Sequence, residues 1–239
     1  VIAADVVTTG DDEISGNHTM TGNYTVSHGT TLTIKPGAVV DMDDYWMRVE
    51  GTLIADDSTI MSSTQSLGAG SHNAGVWGDI TIASGASATL DNVIISNAKS
   101  CMIVEGTLSA TDLHLEDCLI GLELRGSATI NGLSGSAIDH DGVRVSGTAS
   151  IDNVDFSDMS GGIQSSGSLT LSNAQFDDVG TAIAIDDGDA DIEDITLVGN
   201  IANAIRLSTG VTGDLNGMTG HAVMAISGYE VSDFELSNL

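Results

Sequence analysis

Basic side chains are scarce in this chain. Against 34 Asp and Glu it has six Lys and Arg, a formal net charge of −28 over 239 residues. A field of that sign makes nucleic acid and anionic membrane surfaces poor partners. Aromatics are only 3% of the residues, so the interior must be filled with Ile, Leu, Val and Ala in narrow layers. There is one proline, Pro36, and the two cysteines are too few for a disulfide framework. No apolar run reaches the roughly 20 residues of a bilayer span, and no signal-peptide pattern opens the chain. With Val1 first, the expectation is a mature form or an excised piece.

What is abundant is punctuation: 29 glycines, with Ser, Thr, Asn and Asp recurring between short apolar stretches. The punctuation is periodic. One inward position runs Leu90, Ala110, Ile130, Ile151, Leu171, Ile192, at spacings of 20, 20, 21, 20 and 21 residues, and continues less regularly to Leu215 and Val231. A second column is Val93, Leu113, Leu133, Val154, Ala174, Ile195; a third is Ile95, Leu115, Gly135, Phe156, Phe176, Leu197. Two more follow, from Met102 to Ile183 and from Val104 to Ile185. Apolar and polar residues alternate within each repeat, as half-buried strands require. Like residues recurring at a fixed period are the mark of a solenoid, in which each coil touches only its neighbours.

The corners repeat too. Asn92, Asp112, Gly132, Asn153, Asn173 and Asp194 share one turn position; Asn97, Asp117, Asp158 and Asp178 share a second. Gly85, Gly106, Gly126, Gly147, Gly167 and Gly188 mark a third. These residue types tolerate a left-handed backbone. Three corners imply three strands per coil. The expected fold is all-β: a right-handed parallel β-helix (β-solenoid) of about ten coils of roughly 20 residues, with three short strands per coil. Residues 1–28 are expected to cap its N-terminal end, and 29–239 to form the helix, with an irregular excursion at 61–76.

Segments 31–42 (TLTIKPGAVVDM), 47–55 (MRVEGTLIA) and 76–82 (VWGDITI), with the corner Asn column, resemble pectin-lyase-like right-handed β-helices of secreted and surface proteins. The resemblance implies a fold and no single activity, because that fold hosts lyases, hydrolases, esterases and non-catalytic rods. An enzyme of that kind would need acids, or acids with Arg or Lys, on one outward strand face. The best local match is Asp139, His140, Asp141 and Arg144. Yet Arg144 falls one coil from Glu123, and Arg125 one coil from Glu105, so these read as surface ion-pair ladders.

Other features carry a functional and a plainer reading together. Tyr45, Trp46 and Trp77 flank the 61–76 excursion as a sugar-stacking platform, or as caps on the first coils. Asp186, Asp187, Asp189 and Asp191 could supply oxygens to Ca²⁺, the sole cofactor the sequence hints at and not a required one; a solvated acidic turn is the plainer reading. Ser87 and Thr89, Thr107 and Ser109, Ser127 and Thr129, Thr148 and Ser150, and Ser168 and Thr170 stack as an uncharged binding face. That face resembles the Thr-x-Thr arrays of β-solenoid ice-binding proteins, although Ser replaces half the Thr. Asn17 and Asn23 head glycosylation sequons. Cys101 and Cys118 lie in neighbouring coils, three positions out of register; burial as two small apolar residues is favoured over a disulfide across a tight corner.

The combined expectation is a non-catalytic extracellular or cell-surface β-helix, structural or adhesive. It would partner its own copies through the solenoid ends, as a filament or coat, or other surface proteins and glycans. The end-to-end version rests on the coil pattern running to Leu239 without a cap. The alternative is a carbohydrate-active enzyme, a polysaccharide lyase or glycoside hydrolase, or a polysaccharide binder. A third reading is ice binding through the Ser/Thr face.

Overall fold

The computed structural model describes residues 5–63, 74–222, 224–228 and 233–238. Its strands are all parallel and wind into a single β-solenoid of about ten turns, a parallel β-helix. One coil shows how the sequence makes the shape. Strand Ser87–Ser96 crosses a first face at 87–91, bends at Asn92, and runs along a second face at 93–96. Asn97 turns the chain again, Ala98–Val104 covers the third face, and Thr107 starts the next coil. Both bends need a left-handed residue, and Asn92 and Asn97 take φ of +50° and +67°. A short amide or carboxylate side chain bears that conformation at low cost.

The expected columns stack in register. Leu90, Ala110, Ile130, Ile151, Leu171, Ile192 and Leu215 are successive partners on the first face, and every one is buried. The column then passes to Leu236, not Val231, which lies outside the described residues. The first corner holds all six expected residues at positive φ, and the second its expected four plus Ala137 at +54°. Alanine in that region is strained, so the stack imposes the bend even where the residue does not favour it.

The third corner differs by one residue from the expectation. Its column is Gly51, Ala86, Gly106, Gly126, Gly147, Gly167 and Gly188, as the bonds to the following strand show: Ser87 N–H to Gly51 O, Thr107 N–H to Ala86 O, Ser127 N–H to Gly106 O. Gly85 sits one position early, in a turn closed by Ala86 N–H to Ala83 O at 2.9 Å. The glycines answer to close approach. A Cβ on Gly147 would lie 2.0 Å from the Gly126 carbonyl oxygen.

The core runs along the axis and is aliphatic except for a few rings. Phe156 and Phe176 stack edge to face with centroids 6.1 Å apart. They reach across to the third face, where a Cβ on Gly142 would come 2.6 Å from the first ring and one on Gly162 2.5 Å from the second. Gly135 leaves room beside Phe156 in the same column. Within 1–28, strands Asp12–Ile14, Asn17–Thr19 and Tyr24–Val26 are already in register with the coil that follows. Of the 61–76 excursion, residues 64–73 lie outside the described residues. Among the described residues no helix is long and apolar enough to cross a membrane.

The two cysteines depart from the favoured reading. Cys101 and Cys118, both buried, are joined by a disulfide across a Cα–Cα distance of 5.9 Å. Three positions of offset had argued against pairing. The two meet because Cys118 lies in the corner before Ile120–Leu124 and both side chains are turned into the core.

Two substitutions with opposite signs test this packing. Gly147→Ala should destabilise the fold by about 1–3 kcal/mol through forced backbone shift. Ser58 is the buried side chain, among the described residues, whose hydroxyl has no hydrogen-bond partner, and Val93 stacks on it. Ser58→Val should therefore stabilise by about 1 kcal/mol. Denaturant melts read both; equal and negligible shifts would mean the columns are looser than described.

Candidate functional site

Two outward surfaces concentrate the chemistry. The third face gathers the arginines: Arg48, Arg144 and Arg206 point outward from its strands, and Arg125 stands at its edge. Between the coils of Asp141–Val145 and Asn203–Leu207 this face dips into an open depression of about 220 Å³. His140, Asp141, Arg144, Ser160, Gln164 and Arg206 stand around it, over a floor that includes Gly161 and Ala184. The floor is low because those two positions carry little or no side chain.

Every arginine here is matched to a carboxylate. Arg144 Nε donates to Asp141 Oδ2 at 2.7 Å, and Arg206 Nη2 to Asp186 Oδ1 at 3.2 Å. Gln164 Nε2 donates to the other Asp186 oxygen. The expected coil-to-coil ladder is only partly formed. Glu123 and Arg144 are in register, yet Arg144 turns back along its own coil to Asp141. Glu123 instead accepts from Arg125 Nη2 at 2.8 Å and from Ser100 Oγ at 2.9 Å, while Arg125 reaches Glu105 at 3.5 Å. A carboxylate two or three residues away on the same outward side costs a long side chain less ordering than one a coil away.

The four residues singled out for catalysis are split. His140, Asp141 and Arg144 share the third-face depression. Asp139 faces a separate hollow at the second corner, with Asp158 and Asp178. Gln164, Asp186 and Arg206 join the first group and were not anticipated as part of it. They lie one, two and three coils further on, so their proximity is visible only once the register is known.

The second surface is the hydroxyl array of the first face. The five expected pairs, from Ser87 and Thr89 through Ser168 and Thr170, are successive register partners. The array also continues below them, to Thr52 with Ile54 and to Thr31 with Thr33. Seven stacked coils thus present thirteen hydroxyls and one isoleucine. The separation of 35 positions between Thr52 and Ser87 hid this continuation, because the excursion breaks the 20-residue count. Asp189 and Asp191 end it on the other side.

The remaining candidates are placed as follows. Trp77 offers no ring face to a sugar: it is buried, and its indole N–H donates to Ser96 O at 2.7 Å. Trp46 is exposed, and Tyr45 packs against the core. Asn17 lies exposed on its strand, whereas the Asn23 side-chain oxygen accepts from Trp46 N–H at 3.3 Å. Asp187 Oδ1 accepts the Gly188 N–H at 2.8 Å, and Asp189 Oδ1 the Thr212 hydroxyl at 2.8 Å. With Asp186 held by Gln164 and Arg206, the four acids do not point to one centre. Among the described residues no three of His, Cys, Asp and Glu converge as metal ligands.

No protein-family model matches this chain, and no curated protein sequence does either.

Several carboxylates are tied into the stacking and titrate accordingly. Asp152 is held below the ordinary value of 3.8 by the Ser172 hydroxyl and the Asn173 amide of the next coil. Asp12 is lowered by the Tyr24 hydroxyl and the Glu13 N–H. At Asp41 burial pushes upward, but the Ser63 hydroxyl and the Ser63 and Asp43 N–H groups outweigh it, and the net shift is down. A folded value below the unfolded one means the unfolded chain binds protons first. The stability these groups contribute is complete above the unfolded value and is lost as pH falls through the folded one. The melting temperature should fall on acidification below about pH 4, and Asp152→Asn should make that fall shallower. Superimposable acid limbs for the two proteins would contradict the assignment.

Proposed function

We propose that the chain is a non-catalytic extracellular or cell-surface rod, acting as stalk, adhesive module or building block of a filament or coat. The observation that carries this reading is the use of surface polar groups to bind coil to coil. Asn153 donates to Asn131 at 2.7 Å, Asn173 and Ser172 donate to Asp152 at 2.7 Å each, and Asn92 donates to Asp57 at 2.8 Å. Groups of the kind that would recognise a substrate are spent on axial rigidity. A buried disulfide supports an oxidising compartment, and the strongly acidic surface supports solvation outside the cell.

The test is a panel of acidic and neutral polysaccharides incubated with the protein, with and without Ca²⁺. No new reducing or unsaturated ends are expected, and an antiserum should label the surface of intact source cells. Turnover abolished by Asp141→Asn and Arg144→Ala would replace this reading with the carbohydrate-active one, centred on the third-face depression.

The hydroxyl array favours a second reading, binding to ice. It is flat, uncharged and repeats at about 4.8 Å along the axis, on a molecule whose net charge is −28. Thr129 stands in the middle of the array. Thermal hysteresis that disappears in Thr129→Arg would support it; hysteresis absent from the unaltered protein would dispose of it.

A further inference from the structure

Along the third corner the glycine N–H groups are tied down from the coil below. Gly51, Gly106, Gly126 and Gly147 donate to the carbonyls of Val26, Ile82, Val104 and Leu124, at 3.2, 3.1, 2.8 and 3.0 Å. Gly188 departs from this, because its corner is one residue longer. Ser166 and Gly167 join Ser165 to Ser168, whereas Asp186, Asp187 and Gly188 join the register partners Ile185 and Asp189. Asp186 N–H takes the Ser165 carbonyl below at 2.7 Å. Gly188, two residues on, donates instead to the side chain of its own neighbour, Asp187 Oδ1, at 2.8 Å. The bond that starts the next strand is stretched as well. Asp189 N–H lies 3.3 Å from Gly167 O, against 2.9 Å for Ser168 N–H to Gly147 O one coil earlier.

This contact sets an exposed carboxyl group against a nitrogen that can attack it. The carboxyl carbon is one bond beyond Oδ1, and glycine has no side chain to shield its nitrogen. Holding two reacting groups in contact removes much of the entropic cost of bringing them together. The chain has three other Asn-Gly or Asp-Gly pairs, and each has its side chain turned to a different partner. Asn131 Oδ1 accepts from Asn153 Nδ2, Asn216 Oδ1 from Asn238 Nδ2, and Asp141 Oδ2 from Arg144 Nε, all at 2.7 Å. All three also lie within strands, Ser127–Ser136, Thr212–Gly220 and Asp141–Val145, whereas Asp187 lies in a bend between strands.

We infer that Asp187 is a modification site, at which the folded chain isomerises to isoaspartate. The Gly188 nitrogen attacks Cγ of the protonated Asp187 carboxyl. The amide proton and the carboxyl hydroxyl leave as water, and a five-membered imide closes. Water then opens the ring. When it adds at the former main-chain carbonyl, that carbon becomes a free carboxylate and the chain runs on through Cγ to Gly188. One water is lost and one is gained, so mass and net charge are unchanged and no redox partner is needed. The backbone is now one methylene longer, at a corner where a Cβ on Gly188 would lie 2.2 Å from Gly167 O. The bond least able to absorb that length is the stretched one from Asp189 N–H, so strand Asp189–Val198 loses the anchor at its start.

The inference goes beyond the rod reading and stands whether or not the chain turns over a polysaccharide. The full chain is aged in water enriched in heavy oxygen and then digested, and the peptides that hold the four pairs are separated and weighed. Isoaspartate should accumulate at 187 ahead of 131, 141 and 216, with one heavy oxygen taken up per ring opening. In chain kept unfolded by denaturant, Asn131 and Asn216 should lead instead, since ammonia leaves an amide more readily than water leaves an acid. Hydrogen exchange of the aged rod should show protection lost at 189–192 in proportion to the isomerised fraction, and unchanged in 148–165. Asp187→Glu keeps the charge but would have to close a six-membered ring, so it should retain that protection. Isoaspartate that forms first at another pair in the folded protein, or at none, would overturn the inference. Loss at 189–192 on the same schedule in Asp187→Glu would do so too.

Discussion

One constraint organises this molecule: each coil must present the same backbone path to the next, at the spacing of neighbouring strands, about 4.8 Å. Parallel pairing on all three faces allows no drift, since a slip of one residue would turn every inward side chain outward. Column composition follows from it. Leucine, isoleucine and valine repeat because each sits on its own kind. The glycines at the third corner repeat because their carbonyls approach within a distance no Cβ tolerates. Asn and Asp repeat at the other two corners because the bend is left-handed, and their side chains also reach the coil below. Even Ala137, a poor residue for such a bend, is held at φ +54° by its neighbours.

The same constraint explains what was legible in the sequence. From residue 88 to residue 197 the period is 20 or 21, and the columns, two of the corners and the three strands per coil can be read from spacing alone. Reading fails where the period is not kept. The excursion separates Thr52 from its partner Ser87, so the hydroxyl array looked two coils shorter than it is. Near the C-terminal end the spacing after Leu215 misled the register toward Val231 when Leu236 is the partner. Gly85 looked like a member of the glycine column because a neighbouring turn also ends in glycine. The disulfide was disfavoured on register because Cys118 lies in a corner, where both side chains turn into the core and meet in spite of the offset.

The candidate sites were less legible for a related reason. Side chains on an outward face meet across coils, so a constellation is spread over residues about 20 apart and mixes with the stacking ladders. His140, Asp141 and Arg144 stood out because they are close in sequence. Gln164 and Arg206, which complete the same depression, did not, and Asp186, which holds both, was noticed only as one of a run of acids. Conversely, Trp77 looked like a ligand platform, and strict alternation in WGDITI would set it with Asp79 and Thr81 opposite Ile80 and Ile82, yet it is buried with the isoleucines. The two surfaces also differ physically. The third face carries charge already matched within the rod, whereas the hydroxyl face carries none across seven coils. The first gains little from binding another charge unless an internal pair is given up, and the second offers only a regular array of hydroxyls.

If stacking in register is what holds the rod together, whole coils are interchangeable units. The direct test is to delete residues 148–167, which brings Gly147 to Ser168, the register partner of the lost Thr148. The account predicts a cooperatively folded rod, shorter by about 4.8 Å in small-angle scattering. A matched deletion of 151–169, which leaves one extra residue inside the first-face strand and turns the inward side chains after it outward, should not fold. Two deletions that are tolerated equally well, or that unfold the protein alike, would contradict it.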